Sequence, residues 1–305
     1  YILYEAQLDR PNAVRLLTPE NASHDVSISP SYRYMVDSYS TVSQEPVNVV
    51  RNRNGKVIMT LEKPDLQPVY EMGWKAPERF KVKAADGVTD LYGVMWKPAD
   101  FDSTKVYPII SNVYPGSFFE YVPTRFTIND VYNTRLAQLG FIVITVGHRG
   151  GTPMRGKAYH TYGYNNMRDY PLADDKYAIE QLAARYPFID ATKVGIYGHS
   201  GGGFMSAAAI CTYPDFYSAA VSSAGNHDNR IYNKGFVEIH FGVDEKVKTT
   251  KDSLGVESTM YDYSVRVRPN QELVKNYKHG LLLFTGAMDK TVNPANTLRL
   301  VDALI

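Results

Sequence analysis

Ser200 is the residue of this sequence whose surroundings most clearly indicate chemistry. It stands in the run Gly198-His199-Ser200-Gly201-Gly202, which places a G-x-S-x-G pattern between an apolar, strand-like segment and a run of small residues typical of a helix. A serine on such a turn is held in a strained conformation, and glycine flanks it because a Cβ atom would collide with the adjacent strand or helix. The pattern predicts a nucleophile for acyl transfer, with the backbone N–H of Gly201 directed at the developing oxyanion.

Asp289 is the acid expected to serve this nucleophile. It comes after Ser200 in the chain, at the tip of a turn that follows the apolar strand predicted over residues 281–284. Asn293 and Pro294 then open a helix. In enzymes with a strand-serine-helix turn, the triad acid lies at the end of a later strand, so the position of Asp289 predicts that role.

The general base is harder to place from the sequence. A serine hydroxyl needs an imidazole near neutral pH, and the expected order is serine, acid, histidine. No histidine follows Asp289. His199 adjoins the nucleophile, and His148 and His227 follow strands, where they could line the site, but any of them as base would need a different chain order. We expect the base to lie beyond Ile305.

The elements that must position these residues are strands and helices that alternate along the larger part of the chain. Helices are expected over residues 129–139 and 171–186, and short apolar strands over residues 106–113, 141–146, 194–197, 219–223 and 281–284. Apolar strands without alternation, each followed by a helix, are typical of a parallel sheet covered on both faces. Residues 66–305 are therefore predicted to form an α/β domain with a mostly parallel central sheet.

The first part of the chain has a different pattern. Residues 1–65 contain turn clusters between short strand-like segments, which are expected at residues 1–8, 14–17, 32–39, 47–50 and 57–61. This is the size and pattern of about one blade of a β-propeller, and a lone blade cannot bury both its faces. We interpret residues 1–65 as the remnant of a propeller.

The composition excludes several classes of function. The 305 residues carry a formal net charge of +1, with 44% hydrophobic and 21% charged residues, so no basic field favours nucleic acid or a membrane surface. The single cysteine, Cys211, excludes an intrachain disulfide. No metal-ligand spacing and no phosphate-binding glycine loop occur, so neither a metal nor an organic cofactor is expected. The sequence begins in a strand pattern and ends in an amphipathic helix, which indicates a fragment at both ends.

Five motifs in order resemble the prolyl oligopeptidase family of serine peptidases, specifically its dipeptidyl peptidase IV branch. They are Asn112-Val113-Tyr114-Pro115-Gly116, Arg149-Gly150-Gly151, Phe188-Ile189-Asp190, Gly198-His199-Ser200-Gly201-Gly202 and Gly286-Ala287-Met288-Asp289-Lys290-Thr291-Val292. The resemblance implies an α/β-hydrolase domain closed by a β-propeller. It also implies that Ser200 is the nucleophile, Asp289 the triad acid and Tyr114 the tyrosine that completes the oxyanion hole.

The resemblance extends to substrate binding. Tyr232, in the run that begins at Asn226 and His227, falls in the segment that supplies the aromatic wall of the proline pocket. Thr291 stands where the family often has asparagine, and His199 where its dipeptidyl peptidases usually have tryptophan. The residues expected to line the pocket are Tyr232, Asn226, His227, Thr291 and His199.

The sequence therefore predicts a serine peptidase, with dipeptidyl release after proline or alanine as the implied activity. Because His199 and Gly201 remove aromatic side chains beside the nucleophile, an acylaminoacyl peptidase or esterase of the same fold remains an alternative. A non-catalytic binding module is a third reading, since no histidine follows the acid. The resemblance also implies a peptide substrate, export to the periplasm, and allows a homodimer of the full-length protein.

Overall fold

The N-terminal part of the protein forms two small antiparallel sheets. The structure is a computed structural model that describes residues 2–116, 120–128, 130–278 and 280–305. Its first strands are β1 (Tyr4–Gln7), β2 (Arg10–Leu16), β3 (Ser23–Ile28), β4 (Tyr34–Ser40), β5 (Val47–Asn52) and β6 (Val57–Thr60). β1 pairs with β2, and β3 to β6 form a four-stranded meander in chain order, which is compatible with a propeller blade. β3 was absent from the sequence prediction because its residues alternate weakly, and Tyr1 of the first predicted strand lies outside the described residues.

The remaining chain contains helices on both sides of a large sheet. Its elements are α1 (Gln67–Glu71), β7 (Glu78–Lys83), β8 (Asp90–Trp96), β9 (Tyr107–Asn112), α2 (Val131–Gln138), β10 (Ile142–Val146), α3 (Lys157–His160), α4 (Tyr170–Arg185), β11 (Ile189–His199), α5 (Gly201–Thr212), β12 (Tyr217–Ser223), α6 (Lys234–His240), β13 (Val243–Lys251), β14 (Glu257–Val265), β15 (Gly280–Phe284) and α7 (Ala295–Leu304). Asn129, where a helix was predicted to begin, lies outside the described residues.

The large sheet has seven strands in the order β15-β12-β11-β9-β10-β8-β7. β10, β9, β11, β12 and β15 are parallel to one another, whereas β7 and β8 join the edge in antiparallel pairing. The predicted α/β-hydrolase fold with a mostly parallel sheet is therefore confirmed. In such a sheet the carboxyl ends of the parallel strands meet along one edge, which places the residues after β9, β11 and β15 together.

The core explains why α5 follows β11 so closely. Small side chains, from Ala207 to Ala209, let the helix pack directly onto the sheet, and every residue of α5 from Gly201 to Cys211 is buried. α4 covers the same sheet and buries two carboxylates, Asp174 and Asp175. Asp174 accepts hydrogen bonds from Arg149, and Asp175 accepts them from the hydroxyls of Ser111 and Tyr217, so each carboxylate has partners inside the core.

The four-stranded sheet packs against the α/β domain. Val42, which follows β4, is buried in one cluster with Val94, Trp96 and Val143 of β8 and β10. Arg125 adds an exposed ion pair to Asp25 at 3.3 Å. Apolar burial therefore supplies most of this contact, because an exposed ion pair contributes little.

An antiparallel hairpin, β13 and β14, projects from the α/β domain and was not predicted from the sequence. It pairs Val243 with Val265 at its base and Lys251 with Glu257 near its tip. Nearly all of its residues are exposed. Within the described parts of the chain, no helix has the length and apolar character needed to cross a membrane.

Candidate active site

Ser200 occupies a strained turn between β11 and α5. Its φ is 55° and its ψ −120°, a conformation that residues other than glycine rarely adopt. The turn is fixed from both sides, because the Ser200 N–H donates to the carbonyl of Ser223 at 2.8 Å and the Ser200 carbonyl accepts from Phe204 N–H at 2.9 Å. Such strain is expected where a nucleophile must stand clear of both the strand and the helix.

Close backbone approach explains the glycines at 198 and 202 but not the one at 201. A Cβ atom on Gly198 would lie 2.5 Å from the carbonyl oxygen of Val113, and one on Gly202 would lie 2.2 Å from the same oxygen. At Gly201 the nearest atoms would be at 3.6 Å, which is an ordinary contact. Glycine at 201 is therefore not imposed by the backbone, and a Cβ atom there would make ordinary contacts with Tyr114 and Pro115.

Tyr114 lies beside Gly201. It follows β9, which is held to β11 by the bond from Val113 N–H to the carbonyl of Tyr197 at 2.9 Å. The Cζ atom of Tyr114 would be 3.6 Å from a Cβ atom on Gly201, so its phenol lies beside the first residue of α5. The ring of Tyr121 packs on it with centroids 5.5 Å apart. The Tyr114 phenol is thus next to the residue whose backbone N–H is the other predicted oxyanion donor.

Asp289 lies in the loop after β15, two strands from the nucleophile strand. Its Oδ1 accepts the backbone N–H groups of Thr291 at 2.8 Å and Val292 at 2.9 Å. These bonds hold the pKa of Asp289 below its usual value, and the nearby ring of His199 lowers it further when protonated. Asp289 Oδ2 has no hydrogen-bond partner among the described residues, which leaves it available to orient an imidazole.

His227 lies in the interior rather than at the site. Its side chain is fully buried, with Nδ1 2.9 Å from Asn270 Nδ2 and Nε2 3.3 Å from Ser222 Oγ. Asn270 can only donate at that atom, so Nδ1 accepts and Nε2 carries the proton. Burial lowers the pKa of His227 to about 3, with a further contribution from the charge of Arg168. The ring is therefore a neutral structural group below α5.

A cavity of about 750 Å³ opens beside the Asp289 loop and contains two of the expected pocket residues. Tyr232 and Thr291 both line it. Burial raises the pKa of Tyr232, and the nearby Tyr114 and Asp289 raise it further. Asn226, in contrast, is buried and donates to Asn229 at 2.8 Å, so it belongs with His227 to the interior.

Helix α6 supplies a wall of this cavity that the sequence reading missed. Phe236 and His240 both line it, and their rings lie 4.3 Å apart. Phe236 also meets the ring of Tyr232 edge to face at 5.7 Å. The four-residue spacing of Phe236 and His240 on one helix face was the available signal. Further lining residues are Ile231, Asn233, Ile239, Lys290 and Asn293.

His199 lines a different cavity, of about 730 Å³, on the other side of the turn between β11 and α5. Its Nδ1 lies 3.0 Å from Ser223 Oγ, and the side chain is exposed. The cavity is also lined by Asn133, whose Oδ1 accepts from Tyr197 Oη at 2.6 Å and from Asn112 Nδ2 at 3.0 Å. His199 therefore lies next to the nucleophile but outside the cavity that holds Tyr232.

One group of possible metal ligands occurs in the described part of the chain, far along the sequence from Ser200. Glu20, His24 and Asp37 surround Arg51 in the four-stranded sheet. Arg51 donates to Asp37 at 2.8 Å and to Glu20 at 2.7 Å, and His24 Nδ1 lies 3.0 Å from both oxygens of Asp37. The guanidinium thus already supplies the positive charge that these carboxylates need, and the group is a buried ion-pair network.

Comparison with known proteins agrees with the family resemblance for the larger part of the chain. The model of the prolyl oligopeptidase family matches residues 129–305. Mouse dipeptidyl peptidase 8 is 26% identical over 319 aligned residues, which cover 99% of this chain and 33% of that protein. The Aspergillus oryzae protein named "Probable dipeptidyl-aminopeptidase B" is 28% identical over 308 residues, covering 99% of this chain and 32% of its own.

A solved structure shares the fold. The crystal structure of Porphyromonas gingivalis dipeptidyl peptidase 4 superposes with a TM-score of 0.80 at 22% identity, covering 99% of this chain and 40% of that one. The chain spans about a third of the length of the curated relatives that it matches.

Proposed function

Because the chain belongs to the prolyl oligopeptidase family, we propose that it carries the catalytic center of a serine peptidase that cleaves peptide bonds through an acyl-enzyme. The observation that carries this proposal is the strained Ser200, at φ 55°, with the Tyr114 ring against the adjoining Gly201. A buried packing role would not need this strain, because a non-glycine residue at positive φ costs of order 1–3 kcal/mol.

In the proposed reaction, Ser200 Oγ attacks the scissile carbonyl carbon while an imidazole removes its proton. The carbonyl oxygen becomes an oxyanion that accepts hydrogen bonds from the Gly201 N–H and the Tyr114 hydroxyl. The imidazolium then gives its proton to the leaving amine, which leaves an acyl group on Ser200. Water, activated by the same imidazole, releases the acyl group and restores the serine.

The imidazole is proposed to come from a histidine after Asp289, in a segment beyond residue 305. Asp289 Oδ2 would accept its Nδ1–H and hold the tautomer in which Nε2 faces Ser200. The backbone bonds to Oδ1 support this role, because they fix the carboxylate and keep it ionised. We expect residues 1–305 alone to have only weak residual activity.

Release of amino-terminal dipeptides ending in proline or alanine is the proposed activity of the whole protein. The names of the relatives support it, and the rings of Tyr232 and Phe236 offer an apolar wall to a small side chain. A second candidate, an esterase or acylaminoacyl peptidase, is supported by the residues beside the nucleophile, because His199 and Gly201 lack the aromatic side chains that the dipeptidyl peptidases usually have there.

The test compares Ser200→Ala with Ser218→Ala in the natural full-length protein. Ser218 is an exposed serine on β12 and serves as the matched control. We expect hydrolysis of Xaa-Pro and Xaa-Ala p-nitroanilides, and labelling by a fluorophosphonate, to be lost only in Ser200→Ala. Faster turnover of p-nitrophenyl esters or acyl-amino acid anilides would favour the second candidate. Full activity of Ser200→Ala, or no turnover of any acyl substrate, would refute the catalytic proposal.

A further inference from the structure

The cavity beside the Asp289 loop has an apolar side and a polar side. The apolar side includes the wall of Tyr232 and Phe236, whose rings meet edge to face. The polar side consists of Asn233, Lys290, Thr291 and Asn293. A proline or alanine side chain fills only a small part of a cavity of about 750 Å³, so the polar side is left for another part of the substrate.

The two asparagines of the polar side have their NH2 groups available as donors. Asn233 Oδ1 accepts the backbone N–H of Phe236 at 3.0 Å, and Asn293 Oδ1 accepts that of Ala295 at 2.9 Å. A backbone N–H can bond only to the oxygen of an amide, so these bonds fix the orientation of both side-chain amides. The NH2 group of each asparagine has no hydrogen-bond partner among the described residues.

Lys290 supplies the positive charge of the polar side. Its side chain is exposed, and its ammonium group forms no ion pair within the described parts of the chain. Burial lowers the pKa of His240, so that ring adds no charge to the cavity near neutral pH. No aspartate or glutamate is among the described residues that line the cavity. The adjacent Asp289 carboxylate already accepts two backbone N–H groups and is assigned to the catalytic imidazole.

This combination of a cation and amide donors fits a carboxylate. An ionised carboxylate only accepts hydrogen bonds, and its two oxygens can accept from a lysine and from amide NH2 groups at the same time. Hydrogen bonds to an ionised group are about twice as strong as those between neutral groups. A basic side chain would instead meet Lys290 with the same charge. The cavity therefore distinguishes acidic from basic side chains.

We propose that Lys290 is a specificity-determining residue, which makes the enzyme favour peptides whose first residue is aspartate or glutamate. The proposal rests on the proposed release of dipeptides, in which the second residue, proline or alanine, contacts the wall of Tyr232 and Phe236. The side chain of the first residue then reaches the polar side of the cavity, where Lys290 and the two asparagine NH2 groups bind its carboxylate. Lys290 takes no part in the chemical step.

Steady-state kinetics with three p-nitroanilides test this specificity in the natural full-length protein. Asp-Pro and Asn-Pro substrates have first side chains of nearly the same size that differ in charge, and Lys-Pro carries the opposite charge. In the wild type we expect kcat/KM for Asp-Pro to be about fivefold above that for Asn-Pro, the effect of one partly exposed ion pair, and kcat/KM for Lys-Pro to be the lowest. The difference should shrink at about 1 M salt, where the Debye length is about 3 Å.

Two substitutions of Lys290 isolate its charge. Lys290→Glu should reverse the order, so that Lys-Pro is cleaved faster than Asp-Pro, and Lys290→Gln should bring Asp-Pro and Asn-Pro within about twofold of each other. Lys234→Glu is the matched control, because Lys234 is also exposed but lines a separate cavity, of about 520 Å³. This control should keep the wild-type order.

The outcomes separate this specificity from the peptidase activity itself. Equal kcat/KM for the three substrates in the wild type overturns the role of Lys290 and leaves the peptidase proposal standing. The same result follows if Lys290→Glu keeps the wild-type order, or if Lys234→Glu reverses it as well. A wild-type protein that cleaves none of the three substrates overturns both proposals.

Discussion

Gly202→Ala should disturb the active site through a single backbone contact, whereas Gly201→Ala should not. The added methyl group at 202 would start 2.2 Å from the carbonyl oxygen of Val113. Carbon and oxygen atoms rest at about 3.3 Å or more, so the helix or the Val113 carbonyl must move by about 1 Å. At Gly201 the nearest atom would be 3.6 Å away, and nothing needs to move.

The cost can be estimated from the difference between the two variants. Overpacking of a tight core costs about 1–3 kcal/mol. The gain in helix propensity from glycine to alanine is at most about 1 kcal/mol and is common to both positions, so it cancels in the comparison. Gly202→Ala should therefore be about 1–3 kcal/mol less stable than Gly201→Ala.

The catalytic effect follows from the position of Val113. It directly precedes Tyr114, so a shift of its carbonyl moves the proposed oxyanion donor by a similar distance. A misplacement of about 1 Å can cost about 100-fold in rate. Gly202→Ala should lose about that factor in kcat, while Gly201→Ala should keep kcat within a few-fold.

Urea denaturation followed by circular dichroism measures the stability difference, and steady-state kinetics of the full-length enzyme measures kcat. Equal stability and equal kcat of the two variants would refute the argument from backbone contact. A loss of stability in Gly202→Ala with unchanged kcat would show that Val113 yields without moving Tyr114, and would remove the link to the oxyanion site.

Three further predictions concern single residues. Tyr114→Phe should lower kcat about 100-fold or more with little change in KM, as measured by steady-state kinetics, because only an oxyanion bond is lost. His227 has a folded pKa of about 3, so the unfolded state binds more protons below about pH 6.5, and the free energy of unfolding should fall as pH drops from there toward 3. Urea titrations should show this slope reduced in His227→Gln and retained in the exposed control His199→Gln. Asp174→Asn should cost about 1.5–3 kcal/mol in urea denaturation, because it removes the buried carboxylate that accepts two hydrogen bonds from the Arg149 guanidinium and leaves Asp86 as its one ion-pair partner among the described residues. Asp215→Asn, at an exposed ion pair, should cost less than about 1 kcal/mol.

Local patterns were enough to predict an α/β domain with a mostly parallel sheet and the strand-serine-helix turn. The resemblance to the prolyl oligopeptidase family then implied that this domain is an α/β-hydrolase. Strand β10 was found because it is buried on both faces and therefore needs no alternation. Strand β15 was found from its apolar run, although it lies at the sheet edge with Leu282 and Phe284 exposed. The strand-serine-helix turn was found because close backbone contacts at positions 198 and 202 require glycine. Those two glycines are visible in the sequence itself. The hairpin β13–β14 was missed because its strands are exposed and mix lysines with apolar residues, so they lack the buried signal.

The sequence alone determined that Ser200 and Asp289 follow strands of one parallel sheet, since period and order are properties of the chain. Only the tertiary structure decided what lies around them. Tyr232 and His227 are five residues apart in one loop, yet one lines the cavity near the acid and the other is buried under α5. That difference depends on which helix each side chain contacts. An irregular loop has no fixed period, so the spacing of residues along it does not predict these contacts.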